Sequence, residues 1–272
     1  MSLQNKMIAF IGVGNMGTAL IDGLLRSKSV TPDQIIVTDA VVEKADSFAK
    51  TRGVLGHGDN AAAADAADVI VLAVKPQQMG EVLAGFKSVV TGAKLIVSIA
   101  AGVTTARIER GLGGRTRVVR VMPNTPALVG AGAAALAKGA YATDDDLTTA
   151  ETILGAVGIS VRIEEKFIDA VTALSGSGPA YVFYVTEAMI KAGVAAGLDA
   201  AVAKRLAIQT VYGAGKLLVE SGEEPEALRR NVTSPGGTTE AALNMMRERQ
   251  LVEIFAEAIK AAQKRSQELS ED

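Results

Sequence analysis

Short apolar runs and amphipathic stretches alternate along the first part of the chain. Met7 to Ile11 (MIAFI) is apolar throughout and leads through GVGNMG into TALIDGLLR, where apolar residues recur at helical spacing. Further branched apolar runs follow in IIVTD (Ile35 to Asp39), DVIVLAVKP (Asp68 to Pro76), KLIVSIAAG (Lys94 to Gly102) and RVVRVMPNTP (Arg117 to Pro126). Each ends in small or polar residues, as buried parallel strands do. A last helix and strand, DDDLTTAETILGAVG and ISVRI, carry the signal to Ile163. The pattern predicts an α/β domain over residues 1–163, built on a doubly wound, mostly parallel sheet.

From Phe167 onward no strand alternation is found. GPAYVFYVTEAMIKAGVAAG (Gly178 to Gly197) is apolar on nearly every side, which predicts a helix buried all round. AAVAKRLAIQTVYGAGKLLVES (Ala200 to Ser221) reads as a second long helix with Asp199 placed to cap it. An all-α domain over 164–272 follows. Such helices cannot hide their apolar surface alone, so an intertwined homodimer is expected, with a larger symmetric assembly open to it. SGSGPAY (Ser175 to Tyr181) reads either as a pocket wall or as a tight interhelical turn.

The glycine turn brings chemistry into this scheme. Gly12, Gly14 and Gly17 form G-x-G-x-x-G between a strand and a helix, the context that gives the motif meaning. Gly12 permits the tight turn, Gly14 lets backbone approach a pyrophosphate and Gly17 lets the helix pack on the strand. Asn15 and Met16 open that helix, whose N-terminus offers free N–H groups to phosphates. Asp39 lies about 20 residues further on, the spacing of an acid that bonds a ribose 2′-hydroxyl; it also reads as a helix cap before VVEKADSFAK. Facing the ribose, it would disfavour a 2′-phosphate and make NADH usable. Ligands gather at the carboxyl ends of such strands, so Val74, Lys75, Pro76, Ala100, Ala101, Gly102, Pro123 and Asn124 are expected around one crevice.

Composition removes other chemistries. The 272 residues hold 28 basic and 30 acidic residues, well mixed, so no electrostatic footprint for nucleic acid is expected. There is no cysteine, and the one histidine, His57, sits in GHGDN as a solvated loop residue. Disulfides, thiolate metal sites and histidine-based catalysis are thereby disfavoured. Alanine- and valine-rich stretches are broken well before the ~20 residues of a membrane span, and MSLQNK lacks a signal-peptide layout. A cytoplasmic location is expected.

One stretch resists the helical pattern of the second half. NVTSPGGTTEAAL (Asn231 to Leu243) sets a proline and two glycines between charged amphipathic runs, where they cost roughly 3 and 1 kcal/mol each in a helix. Gly236, Gly237 and Thr238 precede the helical EAALNMMRERQ, so their N–H groups can converge on an anion at its positive end.

With FIGVGNMG, AVKPQ (Ala73 to Gln77), VRVMPNTP, SGSGPAY and above all LRRNVTSPGGTTEAAL, the chain resembles the pyrroline-5-carboxylate reductase family over nearly its whole length. That resemblance implies a Rossmann domain followed by a helical dimerisation domain similar to the C-terminal domain of 6-phosphogluconate dehydrogenase. It implies hydride transfer from NADPH or NADH to the C=N bond of 1-pyrroline-5-carboxylate, giving L-proline. The dinucleotide would lie on the glycine turn, Asn60, Ala73 to Pro76 and Ala100 to Gly102. The substrate would lie on Ser234, Gly237, Thr238 and Thr239, with Gly236 contributing backbone and Thr239 orienting the ring nitrogen. The family commonly favours NADPH and often has a polar or basic residue where this chain has Asp39.

Two other readings are weaker. A β-hydroxyacid dehydrogenase would need a catalytic lysine and an asparagine where, counted from Gly178, this chain has Val182 and Thr186. A silent dinucleotide-binding sensor would have no need of an intact Ser-Pro-Gly-Gly-Thr-Thr.

Overall fold

The computed structural model describes residues 3–271. Eight strands form one sheet: β1 (Ile8–Ile11), β2 (Ile35–Thr38), β3 (Leu55–Gly56), β4 (Val69–Leu72), β5 (Leu95–Ser98), β6 (Arg117–Met122), β7 (Gly132–Lys138) and β8 (Gly158–Arg162). Their order is β3-β2-β1-β4-β5-β6-β7-β8, parallel except where β7 runs against β6. Helices α1 (Asn15–Arg26), α2 (Val42–Arg52), α3 (Asn60–Ala66), α4 (Met79–Phe86), α5 (Thr105–Gly111) and α6 (Asp144–Gly155) connect them. Two apolar layers sandwich the sheet, one holding Phe10, Leu20, Leu24 and Val121, the other Ile11, Ile70, Met79 and Phe86. Each such side chain, fully withdrawn from water, contributes about 1.5–3 kcal/mol.

The sheet follows the sequence pattern except at β3, a two-residue edge strand, and at β7. The GAAALAK of β7 carries no β-branched or aromatic residue that would mark a strand. Small side chains nevertheless suit it, since Ala134, Ala135, Leu136 and Ala137 are all buried between neighbouring layers. Packing decides where propensity is silent.

The chain divides into two compact units, residues 3–177 with 262–271, and residues 178–261. Strands end with β8, near the boundary read from the sequence, yet the chain stays with the sheet beyond it. Arg120, whose side chain is 4% exposed, pairs with Glu165 at 3.2 Å. Glu165 also accepts from the Thr105 N–H (2.8 Å) and hydroxyl (2.6 Å). Ile168 of α7 (Ile168–Val171) packs with Ala135 and Ala137 of β7. A charge as buried as Arg120 is held only when paired, so the segment after β8 is pinned down.

SGSGPAY is not a turn between helices. After α7 the backbone takes a π-helical turn over Thr172–Gly176, with the Ser177 N–H on the Thr172 carbonyl at 2.8 Å, and α8 (Gly178–Ala195) begins directly. In the second unit α9 (Ala200–Ser221) starts on the Asp199 cap, which accepts from the Ala201 and Val202 N–H groups. Next come α10 (Pro225–Asn231), α11 (Thr238–Glu248) and α12 (Leu251–Glu271). No residue of α8 is buried within one chain, so the burial its composition predicts has to come from outside that chain. Among the described residues no helix is long and apolar enough to cross a membrane.

Candidate active site

The register of the sheet builds the candidate cofactor cleft. Ile11 pairs with Thr38 on one side and Leu72 on the other, so β1, β2 and β4 end level and present Gly12, Asp39 and Ala73 in a row. Strand order reverses here, between β1 and β4, and opens the crevice in which such sheets hold ligands. A cleft of about 680 Å³ lies over it, lined by Gly12, Gly14, Asp39, Lys44, Asn60, Ala73, Val74, Lys75, Gln78 and Glu81 among others.

Steric demands explain the glycine turn. Gly12 has φ +102, and a Cβ there would stand 2.7 Å from the Ala73 carbonyl oxygen. A Cβ on Gly17 would stand 2.6 Å from the Gly12 oxygen, so both glycines are needed for packing. At Gly14 a Cβ would meet nothing within 4 Å, leaving an open approach beside the first turn of α1. The N–H groups of Asn15, Met16 and Gly17 have no acceptor within the chain among the described residues. Three free donors, a positive helix end and open space fit a pyrophosphate.

Asp39 closes β2 at this cleft. Its Oδ2 accepts from the Val13 N–H (3.0 Å) and Lys44 Nζ (2.8 Å), its Oδ1 from the Val41 N–H (3.2 Å). Burial pushes the carboxyl up, but the Lys44 bond and the two backbone bonds outweigh it and hold it below the usual range. The residue therefore clamps the glycine turn while still lining the cleft. Asn60 opens α3, whose cap is Asp59.

The other predicted cofactor residues do not line this cleft. Pro76 begins a short helical turn, Ala100 is buried and Ala101 exposed. Gly102, φ +72, lies against the end of α12, where a Cβ would come 3.0 Å from the Leu269 oxygen. Pro123 is half-buried beyond β6. Asn124 is engaged at both ends of its amide, donating to Ser175 at 3.3 Å and accepting from the Ala133 N–H at 2.9 Å. It ties β6 to the π-helical turn. Lys44 of α2, Glu81 of α4 and Gln78 in the turn before α4 line the cleft without having been read from the sequence, since no motif marks them.

Ser234 to Thr239 lie in the second unit. Gly236, φ +70, donates its N–H to Glu240 Oε2 at 2.8 Å, and the Gly237 N–H bonds the Ser234 carbonyl at 3.0 Å. These two N–H groups are therefore not open to an anion, as the sequence reading had them. Gly237 instead caps α11, and the N–H groups of Thr238, Thr239 and Glu240 are the ones without an acceptor among the described residues. The hydroxyls of Ser234, Thr238 and Thr239 have no partner there either.

Comparison with known proteins decides the family. The family model described as pyrroline-5-carboxylate reductase dimerisation matches residues 165–269, and one described as NADP oxidoreductase, coenzyme F420-dependent, matches 7–102. Pyrroline-5-carboxylate reductase 1 of Bacillus spizizenii is 40% identical over 99% of this chain and 91% of its own length. The pyrroline-5-carboxylate reductase of Pseudomonas aeruginosa is 44% identical over 99% and 98%. The chain belongs to the pyrroline-5-carboxylate reductase family. A family structure from Coxiella burnetii superposes with TM-score 0.94 at 41% identity, covering 98% of this chain and 99% of that one. The Plasmodium falciparum enzyme, solved with NADP bound, gives TM-score 0.85 at 31% identity over 98% and 99%.

Proposed function

We infer that this chain reduces the C=N bond of 1-pyrroline-5-carboxylate to give L-proline, drawing on NADPH or NADH in the closing step of proline biosynthesis. The observation that carries the substrate half is the trio of unpaired N–H groups at the start of α11, beside the unpartnered hydroxyls of Ser234, Thr238 and Thr239. A small carboxylate suits that end of the helix. The dipole contributes about 0.3–2 kcal/mol and charge-assisted hydrogen bonds add to it. The donors are Thr238, Thr239 and Glu240, with Gly236 and Gly237 shaping the loop. In the first unit, the α1 N-terminus and the glycine turn hold the pyrophosphate and Asn60, Ala73, Val74 and Lys75 complete the cleft.

When bound, the reduced nicotinamide supplies the hydride that adds to the C=N carbon. The chain has mainly to align the two at about 3–3.5 Å and exclude water. Thr239 orients the ring nitrogen; its hydroxyl is too weak an acid to protonate it at neutral pH, so the proton comes from water or is already on the imine. The chain acts in the cytoplasm as a homodimer that can build a larger symmetric assembly, and its mixed charge gives nucleic acid no surface. The test is loss of NADH and NADPH absorbance with 1-pyrroline-5-carboxylate. Oxidation of at least one cofactor with formation of proline is expected; none above background overturns the reading.

A further inference from the structure

Lys44 stands where the two nicotinamide cofactors differ. NADPH carries a phosphate on the ribose 2′-oxygen and NADH a hydroxyl, and in this fold that oxygen lies by the acidic residue closing the second strand, here Asp39. A carboxylate has about four acceptor sites. Val13, Val41 and Lys44 take three of them, leaving one for a ribose hydroxyl. A phosphate is another matter, since at pH 7 it carries a charge of about −1.5 to −2 and is repelled by a bare carboxylate.

Of the pair, only Lys44 is free to turn. The Asp39 side chain is 14% exposed and held by two backbone N–H groups, whereas that of Lys44 is 49% exposed on a flexible stem. Lysines 44 and 75 are the cations lining the cleft among the described residues, against the acids Asp39, Asp59 and Glu81. Lys75 follows β4, on the far side of β1 from β2. Of these two lysines it is Lys44 that pairs with Asp39, at 2.8 Å.

We propose that Lys44 admits the 2′-phosphate. With NADPH it leaves Asp39 for the phosphate; with NADH it stays, and the remaining acceptor site of Asp39 takes the 2′-hydroxyl. Asp39 thus permits NADH without excluding NADPH, because Lys44 offers the phosphate a positive charge that offsets the repulsion from the carboxylate. The proposal rests on the reading of this cleft as the cofactor site.

Titration of the full-length protein by nicotinamide fluorescence, alongside kcat/KM for both cofactors, tests it. Lys44→Met should weaken NADPH binding about tenfold or more, the worth of a charge-assisted bond, and change NADH binding by less than about threefold. Lys44→Arg should keep NADPH. Wild-type affinity for NADPH should fall more steeply with salt than that for NADH, and the methionine variant should lose the excess. An equal loss for both cofactors, or no loss for NADPH, overturns the role of Lys44 while leaving the cleft as the cofactor site. A wild-type protein that binds neither cofactor overturns the cleft reading itself.

Discussion

Thr239 occupies the second position of α11, half-buried, with a hydroxyl that has no partner among the described residues. Valine has the same branched shape, so Thr239→Val keeps the helix start and removes only the hydrogen bond. A bond to a charged partner is worth about 1.5–3 kcal/mol, which predicts a ten- to hundredfold fall in kcat/KM by steady-state assay, with the pH profile unmoved because the hydroxyl is no acid. Wild-type kinetics would remove Thr239 from the site. The glycines were legible because each answers a steric demand of a known turn, as the close approaches at Gly12 and Gly17 show. The bond from Gly236 to Glu240 was not, since a long side chain reaching back to the loop depends on a rotamer that sequence spacing leaves open. It leaves the free N–H groups on the first turn of the helix and not on the two glycines.

Between elements the same contrast holds. Strands with branched apolar runs, and the α9 cap at Asp199, could be read directly, while the alanines of β7 become a strand only because β6 and β8 flank it. Glu109 of α5 is a second feature of tertiary origin. It is 8% exposed, accepts from the Ala140 N–H at 2.8 Å just past β7, and so straps α5 to that strand. Burial raises its pKa and the nearby Glu165 adds to this, although backbone bonds from Ala140 and Tyr141 oppose it. Arg120 is committed to Glu165. A carboxyl with a raised folded-state pKa binds its proton more tightly in the folded chain, so its contribution is most favourable below the unfolded pKa and is lost as pH rises through the folded one. Glu109→Gln keeps an acceptor for Ala140 without the buried charge. It should raise Tm at neutral pH, with the gain shrinking as pH falls into the usual carboxylate range. A gain that does not change with pH in thermal melts would show that the charge of Glu109 is not its origin.

At the scale of the molecule, the second unit raises the question of what covers it. Within one chain Phe183 is 62% exposed, Tyr184 72%, Val219 83% and Val252 77%, and α9 buries only Ala203 and Ala207. Apolar surface of that extent on a set of helices marks a protein interface, and the match of the dimerisation model over 165–269 fits a second copy of the chain as its cover. Stability should then depend on concentration, because the folded pair is favoured by mass action. A hundredfold rise in protein concentration is worth about 2.7 kcal/mol to a dimer, a rise in Tm of roughly 2–3 °C when two chains of this size unfold together. Tyr184→Asp, on an exposed face of α8, should lower Tm and abolish that dependence, with monomer appearing in sedimentation. The aspartate leaves the fold of the first unit untouched, so cofactor binding to the glycine-turn cleft should survive and separate loss of the interface from loss of folding. A Tm that stays flat across the dilution series in the wild type would mean that these helices are stable as a bare surface, which their composition makes physically expensive.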